Sequence, residues 1–247
     1  MSISPATKRL ADVSPRSVAR MAGALFLITM VAGVLAQGGI SERLIVHGDA
    51  AATAANILAH VALYRLAFAI YLIEMACQIG MTVLFYELLK PVSRSVSLLA
   101  ATFGLIGCTI KTLARLFFIA PVLILGGAHY LTVFNAEQLN AIALVSLRVN
   151  YMAETIAMVF FGLNTLTTGI LVFRSTFLPR ILGVLGAVGG IGWLLYLYEP
   201  LAARLEAFIL AAAFIGALAS VAWLLVVGVD EERWKERART AAASVWR

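Results

Sequence analysis

Six ionisable side chains stand inside the long apolar runs of this 247-residue chain: Arg65, Glu74, Lys111, Arg115, Arg148 and Glu154. A charge at the centre of a bilayer costs about 2.5–3.5 kcal/mol or more unless it is paired or hydrated, so each needs a reason. Helical spacing groups them. In the second apolar run Asn56, His60, Tyr64, Tyr71, Glu74 and Gln78 recur at steps of three and four residues or their sums, with Arg65 one residue off that stripe. In the third run Lys111 and Arg115 lie four apart, on the face of Gly104 and Cys108, and in the fourth Arg148, Tyr151, Glu154 and Thr155 follow the same rule. Four cations facing two anions leave a formal excess of positive charge in low dielectric, which implies an anionic ligand, a water-filled vestibule or a partner. Arginine suits such a ligand because its fork binds carboxylate or phosphate through two hydrogen bonds, while lysine adds a point charge. The competing reading is structural, with Glu74 paired to Lys111 and Glu154 to Arg115 as contacts between helices.

The elements that must position these groups follow from composition. Hydrophobic residues make up 62% of the chain and charged ones 13%, against roughly 45–50% and about 25% in a soluble domain, so lipid is the solvent. Six segments can cross a bilayer, which needs about 20 residues per helix: 18–40, 54–89, 95–125, 140–173, 181–198 and 205–228. Strands are excluded because no run alternates, and an open sheet could not satisfy its backbone in lipid. The fold class is therefore all-α integral membrane, a bundle of six transmembrane helices. Charge sets its orientation. With a cytoplasmic N-terminus the inner segments carry 13 of the 19 basic residues, Lys8, Arg9 and Arg247 among them, while the outer loops carry Arg43 and Arg204, so both termini are expected in the cytoplasm. This divides the chain into a cytoplasmic segment 1–17, the transmembrane domain 18–228 and a cytoplasmic basic tail 229–247, with Trp234 as an interface anchor. The first run is read as an uncleaved span rather than a signal peptide, since five more spans follow.

Other motifs carry less. His47, His60 and His129 fall on one side with Asp49 nearby, but no HExxH or HxxxH occurs, so no metal site is expected. Gly183, Gly186, Gly189, Gly190 and Gly192 follow no strand and read as helix-packing positions, not a nucleotide loop. Asp49 and Thr53 look like N-cap chemistry for the second span, and Pro121 should kink the third near its far end. Cys77 and Cys108 form no CxxC. No cofactor is expected, and no nucleic acid, because the basic residues are spread over several loops rather than gathered on one face.

Three stretches resemble a family of bacterial multi-pass membrane proteins catalogued as domain of unknown function 4386. They are Arg20-Met-Ala-Gly23; the loop His47-Gly-Asp-Ala-Ala-Ala-Thr53 with Asn56-Ile57 and Tyr64-Arg65; and Phe160-Phe-Gly162 with Phe173-Arg-Ser-Thr-Phe-Leu-Pro-Arg-Ile-Leu-Gly183. The resemblance implies a bacterial inner-membrane bundle of this length and draws Asp49, Thr53, Asn56 and Arg65 together as motif positions. It implies no activity.

The resulting expectation is a plasma-membrane protein that binds or transports an anionic amphiphile or small organic anion in an outward-opening cavity of the second to fourth spans. Asn56, His60, Tyr64, Arg65, Glu74, Lys111, Arg115, Arg148, Tyr151 and Glu154 would line it. Membrane lipids are the expected surroundings, an anionic lipid or organic anion the expected ligand, and a second copy of the chain an allowed partner. The alternatives are a structural or regulatory subunit, and an intramembrane enzyme on a lipid or isoprenoid with Glu74 or Glu154 as base and His60 as its acid–base partner.

Overall fold

The computed structural model describes residues 14–244, so Lys8, Arg9 and Arg247 lie outside the described residues. Among the described residues all regular structure is helical. Helix α1, Pro15–Val34, opens on a proline at its first position, with the Ser14 hydroxyl accepting from the Ser17 amide. It runs on through a wide π-turn, Leu35–Ser41, that contains Gly38 and Gly39, and ends in one α-turn, Glu42–Leu44. The short α2, Ala50–Ala59, is capped by Asp49, whose carboxylate accepts from the Ala52 amide at 2.8 Å. Then come α3, Val61–Leu89; α4, Arg94–Ile124; α5, Ala136–Arg174; α6, Arg180–Leu194; α7, Glu199–Val226; and the tail helix α8, Glu231–Ser244. Asn135 and Gln138 cap α5 reciprocally, each side chain bonding the other's backbone amide. Gly228, at φ +75, ends the α7 segment where only glycine turns without strain.

Six helices, counting α1 with its extension and α6 with its last 3-10 turn, are long and apolar enough to cross a membrane. The protein is a multi-pass, all-α membrane protein. The spans match the expected six, with two informative differences. The second expected span, 54–89, is divided at His60, whose backbone leaves the helical region at φ −130, ψ 38. The His60 ring and amide both approach the Asn56 carbonyl, and α3 starts afresh from there. The fourth extends four residues earlier than expected, because the Asn135–Gln138 cap sets its start.

The chain divides into two compact units. Among the described residues the first holds 14–27, Ile79–Leu105 and 159–244; the second holds Ile28–Gln78 and Ile106–Met158. The core of the first unit is apolar, with Leu88, Leu89, Leu171, Phe177, Leu224 and Val229 fully buried or nearly so. Within it α5 and α6 approach to backbone contact. A methyl at Gly183 would lie 2.4 Å from the Phe173 amide nitrogen, and one at Gly190 2.5 Å from that of Leu166. Gly169 and Gly162 return the contact from α5, so glycines two turns apart on each helix form the crossing, and the packing expected of the Gly183–Gly192 stretch is what it does. The tail belongs to this unit too: Trp234 Nε1 donates to the Leu88 carbonyl at 2.9 Å and the Asp230 amide to that of Phe177.

The second unit has an apolar core around Ile57, Tyr64, Tyr71, Phe118 and Leu147, and it contains the charges. Pro121 inside α4 cannot donate to the carbonyl of Phe117. On the next residue, Phe118, the carbonyl receives the Tyr64 hydroxyl.

Candidate functional site: a buried charge quartet

The second unit assembles its site from four chain segments. Glu74 comes from α3, Lys111 and Arg115 one turn apart from α4, and Glu154 with Asn150 one turn apart from α5. From α1 and its extension come Gly33, Gln37 and Ser41, again four residues apart. All of these lie within the second unit.

Two ion pairs hold the centre. Lys111 Nζ donates to Glu74 Oε1 at 2.7 Å, and Arg115 Nη1 donates to Glu154 Oε1. Asn150 closes the second pair, its Nδ2 donating to the same Glu154 oxygen at 2.7 Å while its Oδ1 lies 3.4 Å from Arg115 Nη1. The guanidinium of Arg115 lies over the Tyr71 ring, 3.5 Å from its centroid, in a cation–π contact. Tyr71 is itself held by its hydroxyl, which donates to Gln37 Oε1 at 2.6 Å and meets Ser41 Oγ at 3.1 Å. Phe118 stacks on Tyr64 and meets Tyr71 edge-on, completing an aromatic wall. Glycine at position 33 leaves room for Glu74: a methyl there would stand 3.5 Å from its Oε1.

Arg115 is 1% exposed, and only one of its three nitrogens has a partner. The unpartnered two, Nε and Nη2, form together the side edge of the guanidinium, whose parallel N–H bonds match the two oxygens of a carboxylate. Glu74 Oε2 and Thr29 Oγ1 are likewise buried without a partner, Thr29 lying one turn before Gly33 on the same face. Leaving a buried donor or acceptor unmade costs about 1–3 kcal/mol, more when it is charged, so these four atoms are where this unit can accept a further hydrogen-bonding partner, water included.

Not every expected residue joins this cluster. Tyr64, Glu74, Lys111, Arg115 and Glu154 do. Arg65 and Arg148 do not: both are exposed and neither makes an ion pair among the described residues, so the expected excess of four cations over two anions is corrected to two against two. The reason is angular. With 3.6 residues per turn, Arg65 points about 100° away from buried Tyr64, and two three-residue steps carry Glu154 about 120° from Arg148. Tyr151, between them, is half-exposed. Asn56 donates to the Leu44 carbonyl, and the neighbouring Thr53 hydroxyl bonds both backbone groups of Val46. These contacts fold the 45–49 loop onto α2. His60 is exposed at the break between α2 and α3, His47 is exposed in a loop, and His129 is exposed at the start of the short 3-10 helix His129–Leu131. Among the described residues no three His, Cys, Asp or Glu side chains gather as metal ligands would.

Sequence reading missed Thr29, Gly33, Gln37, Ser41 and Asn150. A signal existed for all of them. The first four repeat every fourth residue along an otherwise apolar stretch, and Asn150 stands four before Glu154.

The family model described as Domain of unknown function (DUF4386) matches residues 21–228, from α1 to the end of α7 and without the tail helix. No curated protein and no solved structure matches the chain.

Proposed function

The chain belongs to that DUF4386 family, whose description assigns no activity, and we propose its role from its own chemistry: it binds a small or amphiphilic monocarboxylate within the second unit, the carboxylate held on the free edge of Arg115. The observation that carries this is a guanidinium 1% exposed with Nε and Nη2 both unpartnered. A single negative charge fits better than two, because the quartet is already balanced and any added charge stands in low dielectric. Tyr71 and Phe118 lie against the guanidinium within a buried apolar core shared with Tyr64 and Leu147, surroundings that favour an organic acid over an inorganic ion. By the excess of basic residues on the terminal side, the termini are cytoplasmic and this site lies toward the outer face of a bacterial inner membrane.

A second reading draws on the same charge balance: the two ion pairs are interhelical clamps and nothing more. The two readings part on ligand-dependent stability. Purified protein in a neutral maltoside detergent is melted in sodium octanoate, sodium benzoate, sodium phosphate and sodium chloride at equal ionic strength. Octanoate or benzoate should raise the wild-type Tm by several degrees over chloride, and Arg115→Lys, which keeps the charge and loses the fork, should abolish the rise. A wild type that melts alike in all four salts, or an equal rise in Arg115→Lys, favours the clamp and overturns binding at Arg115.

A further inference from the structure

We infer that the carboxylate enters together with one proton, and that Glu74 Oε2 holds that proton; the inference rests on the binding reading above. The quartet as it stands is neutral, with Glu74 on Lys111 and Glu154 on Arg115. A bound carboxylate makes it a net anion in a site walled by Tyr64, Tyr71 and Phe118, where an uncompensated charge is strongly disfavoured. Neutrality returns when one of the two acids takes a proton from the aqueous buffer: the buffer acid's bond to hydrogen breaks, a carboxyl O–H bond forms, the conjugate base stays in solution and no oxidation state changes.

The two acids are not equivalent. Glu154 Oε1 already accepts from Arg115 and from Asn150, so protonation there weakens two charge-assisted or polar bonds that orient the fork. Glu74 gives only Oε1 to Lys111 and leaves Oε2 buried with no partner. A proton on Oε2 leaves the Lys111 hydrogen bond to Oε1 in place and weakens that one charge-assisted bond, against two at Glu154. Its neighbours are consistent with a lone acceptor for that proton. Its own helix offers Tyr71 and α4 offers Cys108 and Lys111, while Arg115 of α4 and Glu154 of α5 act on the same Tyr71. The α1 stretch 28–41, which approaches Glu74 at Gly33, holds no ionisable side chain. Lys111 then keeps its contact to Oε1 while Arg115 turns its free edge to the incoming acid.

The experiment is calorimetric titration of the whole protein with sodium octanoate near pH 7, in PIPES and in imidazole, whose ionisation enthalpies differ. The difference in observed heat should correspond to one proton taken up per octanoate bound, and the wild-type Kd should weaken about tenfold per pH unit as pH rises. Glu74→Gln imitates the protonated acid: it should bind octanoate with no proton uptake and a flat pH dependence, and octanoate should raise its Tm. Octanoate binding with equal heats in the two buffers overturns the proton coupling while leaving the binding reading standing. Proton uptake that persists in a folded Glu74→Gln overturns the assignment to Glu74. Absence of any specific heat overturns the binding reading and this inference with it. The wild-type stoichiometry decides the coupling even where the variant fails to fold.

Discussion

The two units of the chain are made of the same kind of helix and are held together by opposite means. In the first unit α5 and α6 meet backbone to backbone across Gly162, Gly169, Gly183 and Gly190, with apolar side chains around them. In the second, four charges and an aromatic wall fill the interior, and the helices stand apart by the length of those side chains. The first leaves no room for a side chain at Gly183 or Gly190, whereas the second places its charges in buried ion pairs. Lipid offers no hydrophobic drive between helices, so close contact and internal polar pairing are the two devices left; the first unit relies on glycine contact with few polar bonds, the second on ion pairs.

The contrast breaks most visibly where volume is added to the first unit. Gly183→Val should leave no folded protein, because its Cβ alone would stand 2.4 Å from backbone. Gly186→Ala is the matched control. Its methyl would lie at an ordinary 3.5 Å, and it should melt within about 0.5 kcal/mol of wild type. Yield of monodisperse protein and Tm in detergent read both. A well-folded Gly183→Val would mean the α5–α6 crossing is looser than the glycine contacts require.

Removing charge from the second unit comes next. Glu74→Gln leaves Lys111 without its anion in a nearly closed site and should destabilise by about 3 kcal/mol, the low end for breaking a buried pair. The same substitution tests the comparison itself. Its penalty should shrink in octanoate, whereas no salt should rescue a glycine variant of the first unit. Equal melting of Glu74→Gln and wild type in chloride would show the Glu74–Lys111 pair to be hydrated and dispensable.

Smaller effects are expected where one hydrogen bond is lost. Tyr64→Phe strips the donor from the Phe118 carbonyl beside Pro121 and should cost about 1 kcal/mol. Trp234→Phe unpins the tail from the Leu88 carbonyl in the first unit and should cost about the same, read as Tm or as faster proteolysis of the tail. Smallest of all should be Arg148→Gln and His129→Ala, both at exposed positions, within about 0.5 kcal/mol of wild type. A large loss in Arg148→Gln would mean that this arginine has a partner outside the single chain.

What the sequence made legible was whatever follows from period and composition. Six spans, the Asp49 cap, the packing role of the Gly183–Gly192 stretch and the two pairings, Glu74 with Lys111 and Arg115 with Glu154, were all readable from spacing. What failed was the depth and angle of individual charges. A stripe defined by steps of three drifts about 60° per step, enough over two steps to carry Arg148 out of the site while Glu154 stays in it. The break at His60 was hidden because histidine carries no helix-stopping signal of its own, and the local bond to the Asn56 carbonyl is a property of the folded loop. The polar row Thr29, Gly33, Gln37 and Ser41 was overlooked because its side chains are uncharged, although in lipid an uncharged polar stripe is nearly as informative as a charged one.

Whether the side edge of Arg115 is a carboxylate seat is decided by a high-resolution structure of the protein solved with octanoate and again without it. Planar density should bridge Arg115 Nε and Nη2 in the octanoate structure, with an acyl chain running along Tyr64 and Phe118, and should be lost without octanoate. The same protein groups or waters meeting both nitrogens in the two structures would contradict it, and would leave the quartet as a clamp between helices.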